Sequence, residues 1–122
     1  MTMYSVLVID DEPNYLIVLS ELLKDEGFEV FTAADGHAGL QLIDDVDLDV
    51  VVTDMQMPGM NGLQLLYKVK ENKPDLPVIV ITAFAEVDQA VHAMQAGAYN
   101  YLAKPFSNDE LIITLKKAAQ HY

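Results

Sequence analysis

Five short apolar runs, each stopping at a polar residue and each followed by a segment of helical periodicity, constrain this chain more than any other feature. The runs are Tyr4 to Ile9, Glu29 to Ala33, Val50 to Val52, Pro77 to Ile81 and Tyr99 to Ala103. Unbroken β-branched stretches such as Val50-Val51-Val52 and Val78-Ile79-Val80-Ile81 read as strands covered on both faces. The segments between them read as helices. Pro13 suits the first turn of the first helix, with Asp11 or Glu12 near its cap and Gly27 at its stop. Gly36 to Ile43 is the second and weakest, with imperfectly ordered ends expected. The third runs from about Asn61 to Glu71, with Leu63, Leu66, Tyr67 and Lys70 at helical spacing, and closes before Pro74. Val87, Ala90, Val91 and Met94 form the stripe of the fourth, which Gly97 closes. Ser107 with Glu110 makes a capping box for the last, which carries Leu111, Ile112, Leu115 and Ala118. Strict β-α alternation with short connections predicts the α/β class: one doubly wound, five-stranded parallel sheet, helices on both faces and right-handed crossovers.

At 122 residues the chain is long enough for one buried core and too short for two, so residues 1–122 are expected to form a single domain. An apolar fraction of 52% is globular, but no run reaches the length of a membrane span. Met1-Thr2-Met3 leads straight into the first strand without a basic or hydrophobic leader region, so a cytoplasmic protein without membrane contact is expected. The chain has no cysteine, which removes disulfides, thiolate chemistry and Cys-bound zinc. Its net charge of −12, with lysine as its only Lys/Arg type, argues against direct nucleic-acid binding by this domain.

Chemistry enters through the strand ends. In an open parallel sheet the carboxyl ends of the strands share one edge, where such folds place their reacting groups. Here that edge receives Asp10 and Asp11, Asp54, Thr82 and Ala83, and Lys104. Taken singly, each has a plain structural explanation: Asp11 caps the first helix, Thr82 caps a turn, and Lys104 is a surface lysine before a proline. Independent capping gives no reason for acids, a hydroxyl and a lysine to meet at four strand ends of one edge. Three crowded carboxylates repel and raise each other's pKa unless a cation neutralises them. Lys104 supplies one positive charge, and an all-oxygen donor set points to Mg²⁺ or Mn²⁺ as the other.

The motifs Val-Leu-Val-Ile-Asp10-Asp11-Glu-Pro, Thr-Asp54-Met-Gln-Met-Pro-Gly-Met-Asn-Gly, Ile-Thr82-Ala83 and Tyr101-Leu-Ala-Lys104-Pro105-Phe resemble those of response-regulator receiver domains of two-component signalling, across essentially the whole chain. The resemblance implies a flavodoxin-like (βα)5 fold of strand order 2-1-3-4-5 and a cis Lys104–Pro105 peptide. It implies that Asp54 is the phosphoacceptor, taking its phosphoryl group from a sensor histidine kinase, a phosphotransfer protein or a small donor. Asp11, Asp54 and the main-chain carbonyl of Gln56 would hold the metal, with Asp10 acting through water. Thr82, Ala83 and Lys104 would bind phosphoryl oxygens. Thr82 and Tyr101 would form the switch that repacks the helix 4, strand 5, helix 5 face, and phosphorylation would promote a possible homodimer. Ala-Gly-Ala-Tyr-Asn-Tyr-Leu-Ala-Lys-Pro-Phe is most similar to receivers of nitrogen-regulator-type σ54-dependent transcriptional regulators. Those normally precede an ATPase and a helix-turn-helix domain, and neither output domain is read in this chain. The lack of arginine departs from winged-helix regulators, whose receivers usually pair through arginine salt bridges on helices 4 and 5.

Other readings meet specific obstacles. An aspartyl-nucleophile phosphatase needs a second acid where Gln56 stands, and a nucleotide or flavin carrier needs a Gly-rich phosphate loop that follows no strand. A phosphorylation-independent interaction module of the same fold would lack part of the acid, threonine and lysine set. His37, His92 and His121 have no metal spacing, and no nucleophile elbow supports a serine enzyme. The expected role is therefore a signalling phosphoacceptor, not an enzyme acting on other substrates. Two surface features are added: Tyr15 and Ile17, in an over-apolar first helix, are expected to dock a kinase or phosphotransfer partner. Gln56 and Phe84 flank Asp54 and are expected to tune water access to it.

Overall fold

The computed structural model describes residues 3–83 and 87–120, with the backbone alone of Val87. Phe84 and His121 therefore lie outside the described residues, as does the side chain of Val87 in the expected helix 4 stripe. Among the described residues the elements alternate as β1 (Ser5–Ile9), α1 (Pro13–Asp25), β2 (Glu29–Ala33), α2 (Gly36–Asp45), β3 (Val50–Asp54), α3 (Gly62–Asn72), β4 (Val78–Ala83), α4 (Val87–Gln95), β5 (Asn100–Lys104) and α5 (Asn108–Gln120). The strands form one parallel sheet in the order β2-β1-β3-β4-β5.

The sheet is covered on both sides because each central strand divides its side chains between two cores. Leu7 and Ile9 of β1, Val51 of β3 and Val78 and Val80 of β4 join Ile43 of α2, Leu65, Leu66 and Val69 of α3 and Ala93 of α4. Val6, Val8, Val50, Val52, Ile79 and Ile81 point the other way, onto Leu19 and Leu23 of α1 and Leu111, Ile112, Leu115, Ala118 and Ala119 of α5. The continuous apolar runs of the sequence are this two-sided burial.

Helix ends follow local chemistry. Glu12 caps α1 by accepting from the Asn14 N–H, and Gly27 leaves that helix at φ 92°, a left-handed conformation that favours glycine. At α3, Asn61 and Gln64 exchange side-chain to main-chain hydrogen bonds. At α5 the Ser107 hydroxyl accepts from the Glu110 N–H at 3.1 Å.

Three helices depart from the sequence expectation. Helix α2 is longer than expected, ending at Asp45, and its start is fixed by Asp35, which accepts from the Ala38 N–H at 2.8 Å. The buried face of α3 is Gly62, Leu65, Leu66 and Val69, while Tyr67 is exposed. In α4 the small residues Ala90 and Ala93 face the core, and Val91 and Met94 face out.

Candidate functional site

The carboxyl edge of the sheet collects the acids. Asp10 follows β1 directly, its N–H donating to the Ala33 carbonyl at the end of β2 at 3.1 Å. Its carboxylate accepts from the Glu12 N–H at 2.9 Å and is almost wholly buried. Asp11 beside it is exposed. Asp54 is the last residue of β3, opposite Ile81 of β4, and its Oδ1 accepts from the Gln56 N–H at 3.2 Å. A glycine holds the return of the chain tightly beneath it. A Cβ on Gly62 would fall 2.6 Å from the Asp54 carbonyl oxygen and 2.8 Å from the Met55 Cα, so α3 can start there only with glycine.

One carboxylate oxygen from each of Asp10, Asp11 and Asp54 lies within 4.8 Å of the other two. The pKa of Asp10 is raised. Burial is the main cause, the Asp54 and Asp11 carboxylates add to it, and the Glu12 N–H and the Lys104 charge oppose it. Three convergent carboxylates with no nitrogen or sulfur donor among them suit a hard divalent cation.

Lys104 closes β5 in register with Ala83, and its Nζ stands 4.0 Å from Asp54 Oδ2. The peptide from Lys104 to Pro105 is cis. Thr82 is buried one position earlier on β4, opposite Ala103, and its hydroxyl donates to the Ala83 carbonyl at 3.3 Å. The edge therefore brings together Asp10, Asp11, Asp54, Thr82, Ala83 and Lys104. Gln56, exposed on the β3–α3 connection, sends its side-chain amide to Gln89 Oε1 of α4 at 2.8 Å. Tyr101 sits back from the edge, exposed on β5 and in register with Val80. Ile17 and Val18 are exposed on α1, 57% and 61% accessible.

Tyr15, expected on the partner-binding surface of α1, is half-buried, and the Lys104 Nζ lies 4.7 Å from its ring centroid. Its phenol is pushed up to about 12 by burial first and then by the Asp10 and Asp54 carboxylates. The available signal was its position one helical turn beyond Asp11, which returns the side chain over the same edge. Gln89 was also missed, since nothing in the sequence pairs it with Gln56.

The sequence model of the response regulator receiver domain matches residues 6–116. The chain belongs to this family. The receiver is 40% identical over 115 residues to the regulatory protein AtoC of Escherichia coli K12, covering 94% of this chain and 25% of that protein. It is 40% identical over 117 residues to the DNA-binding transcriptional regulator NtrC of the same strain, covering 96% of this chain and 25% of that protein. It thus spans about a quarter of the length of these curated relatives. Among solved structures, a receiver domain protein from Clostridium thermocellum superposes with a TM-score of 0.93 at 37% identity, covering 97% of this chain and 95% of that one. The receiver domain of NtrX from Brucella abortus gives 0.91 at 35% identity, covering 96% and 99%. These similarities agree with the resemblance to nitrogen-regulator-type receivers. Receiver domains bind Mg²⁺ at an acidic pocket and interact with histidine kinases or phosphotransfer partners, and the family is one of signalling regulators, not of catalytic enzymes. Among the described residues, no helix is long and apolar enough to cross a membrane.

Proposed function

We propose that this receiver accepts a phosphoryl group on Asp54 in a Mg²⁺-dependent reaction and passes the signal on through its α4, β5 and α5 face. The observation that carries the proposal is the convergence of three carboxylates within 4.8 Å, with the Lys104 ammonium 4.0 Å from Asp54, on one sheet edge. An Asp54 carboxylate oxygen forms the new bond to phosphorus as the P–N bond of a partner's phosphohistidine breaks, and the imidazole nitrogen leaves with the electron pair. An ionised carboxylate needs no general base. Asp10, Asp11 and Asp54, with the Gln56 carbonyl, would hold the metal, which when bound neutralises charge on the phosphoryl oxygens. Lys104, the Thr82 hydroxyl and the Ala83 N–H bind those oxygens, so this chain contributes mainly positioning and charge complementarity.

The acyl phosphate adds nearly two negative charges at Asp54. The Thr82 hydroxyl then turns toward it, and Tyr101 rotates inward from its exposed position on β5. The repacked face controls an output, which similarity to DNA-binding transcriptional regulators suggests is transcriptional and of the σ54-dependent type, in the cytoplasm. The exposed Ile17 of α1 belongs to the docking surface for the kinase or phosphotransfer partner.

Intact mass after incubation with acetyl phosphate, with Mg²⁺ or EDTA and beside Asp54→Asn, tests the reaction. One Mg²⁺-dependent phosphoryl adduct, missing from the variant, is expected. A folded wild-type protein that takes no adduct would instead be a phosphorylation-independent interaction module.

A further inference from the structure

Resting on the phosphoryl-acceptor reading, we propose that Tyr15 is a positioning residue for Lys104: its ring face holds the lysine ammonium beside Asp54, ready for the incoming phosphoryl oxygens. Lys104 needs such a support. Its side chain is 42% exposed and ends in a point charge on a four-carbon stem, and its contact with Asp54 at 4.0 Å is an ion pair, too long for a hydrogen bond. A long exposed lysine held by one such contact loses much of the Coulomb gain to side-chain entropy and solvent screening.

The Tyr15 ring supplies a further attraction, with the ammonium 4.7 Å from its centroid and inside the range of a cation–π contact. The ring is itself anchored. It is half-buried and packs against the core beneath α1, and with Leu19, Pro105 and Phe106 it lines the groove between α1 and the β5–α5 connection. Its phenol, with a pKa pushed up to about 12, is neutral near physiological pH, so the ring carries no charge of its own there. The ammonium is thus held from the α1 side by the ring and from the β3 side by the carboxylate. When Asp54 is modified, the ring keeps the lysine from swinging into solvent, and a short movement brings it onto the phosphoryl oxygens.

This role is separate from any contact Tyr15 makes with a protein partner, and a small donor separates the two. With acetyl phosphate, the bond from an Asp54 oxygen to phosphorus forms as the bridging P–O bond breaks, and acetate leaves with the electron pair. The experiment pairs the initial rate of that adduct, by intact mass in Mg²⁺, with the NMR shifts of the Lys104 ε-methylene protons in ¹³C-lysine-labelled protein, assigned with Lys104→Arg. In the unphosphorylated wild type those protons are expected upfield of the other lysines, because they sit over an aromatic face. Tyr15→Leu should abolish the displacement and slow adduct formation about two- to five-fold, the range a partly exposed cation–π contact supports. Tyr15→Phe, which keeps the ring, should restore both. Wild-type Lys104 protons without upfield displacement, or a Tyr15→Leu rate equal to that of wild type, would overturn the positioning role while the wild-type adduct continued to support the phosphoryl-acceptor reading. A wild type that forms no adduct would overturn that reading, and the proposed positioning role with it.

Discussion

At the scale of single residues, the site trades stability for charge density. Asp10 is buried among Asp11 and Asp54, and its folded pKa is raised mainly because burial penalises the ionised form. A group whose folded pKa lies above its unfolded value adds stability at pH below the unfolded value, and that contribution is lost as pH rises through the folded one. At neutral pH the ionised Asp10 therefore weakens the metal-free fold. Asp10→Asn is expected to raise the thermal midpoint at pH 7 in EDTA while blunting the response to Mg²⁺, and a lower midpoint in EDTA would contradict this electrostatic account. The acids, Thr82 and Lys104 were legible because strand ends are legible, and a parallel sheet puts all of them on one edge. Gly62 and Tyr15 were harder to read. The need for glycine at 62 comes from the carbonyl of Asp54 passing 2.6 Å from the place of a Cβ, and the contact of Tyr15 with Lys104 joins α1 to β5 across the sheet. Neither distance is encoded in local periodicity.

At the scale of elements, type and order were readable because continuous β-branched runs and capping residues act locally, whereas the choice of buried face is made by tertiary packing. Helix α3 offers two overlapping apolar stripes, and the sheet takes the one containing Leu65, Leu66 and Val69, leaving Tyr67 outside. Leu65→Ala should accordingly cost about 2–5 kcal/mol in urea unfolding, and Tyr67→Ala only about 0.5 kcal/mol or less. The reverse ranking would restore the stripe read from the sequence. Helix α4 shows the same effect, since Ala90 and Ala93 take the inner face and leave Val91 and Met94 outside. On α1, Ile17 is exposed and contributes little to the core, so Ile17→Asp should leave the thermal midpoint within a few degrees of wild type and slow phosphotransfer from the cognate kinase. Phosphotransfer at the wild-type rate would remove Ile17 from the docking surface.

At the scale of the whole molecule, the sheet acts as a rigid frame whose one open edge is over-supplied with negative charge. A cation that binds only the folded frame must stabilise it, by about 2.7 kcal/mol at a hundred times its dissociation constant. Mg²⁺ is therefore expected to raise the thermal midpoint at neutral pH, and the increment should shrink as acidification protonates Asp10, whose raised pKa makes it an early carboxylate of the cluster to be lost as a charged donor. An increment independent of pH would place the bound ion elsewhere. The central claim is that the frame directs chemistry to one of its three neighbouring acids. It is tested most directly by trapping: the protein is treated with acetyl phosphate and Mg²⁺, the acyl phosphate is reduced with borohydride, and the peptides are mapped by tandem mass spectrometry. The account predicts homoserine at position 54 and at no other acid, and homoserine at position 10 or 11, or at none of the three, would contradict it.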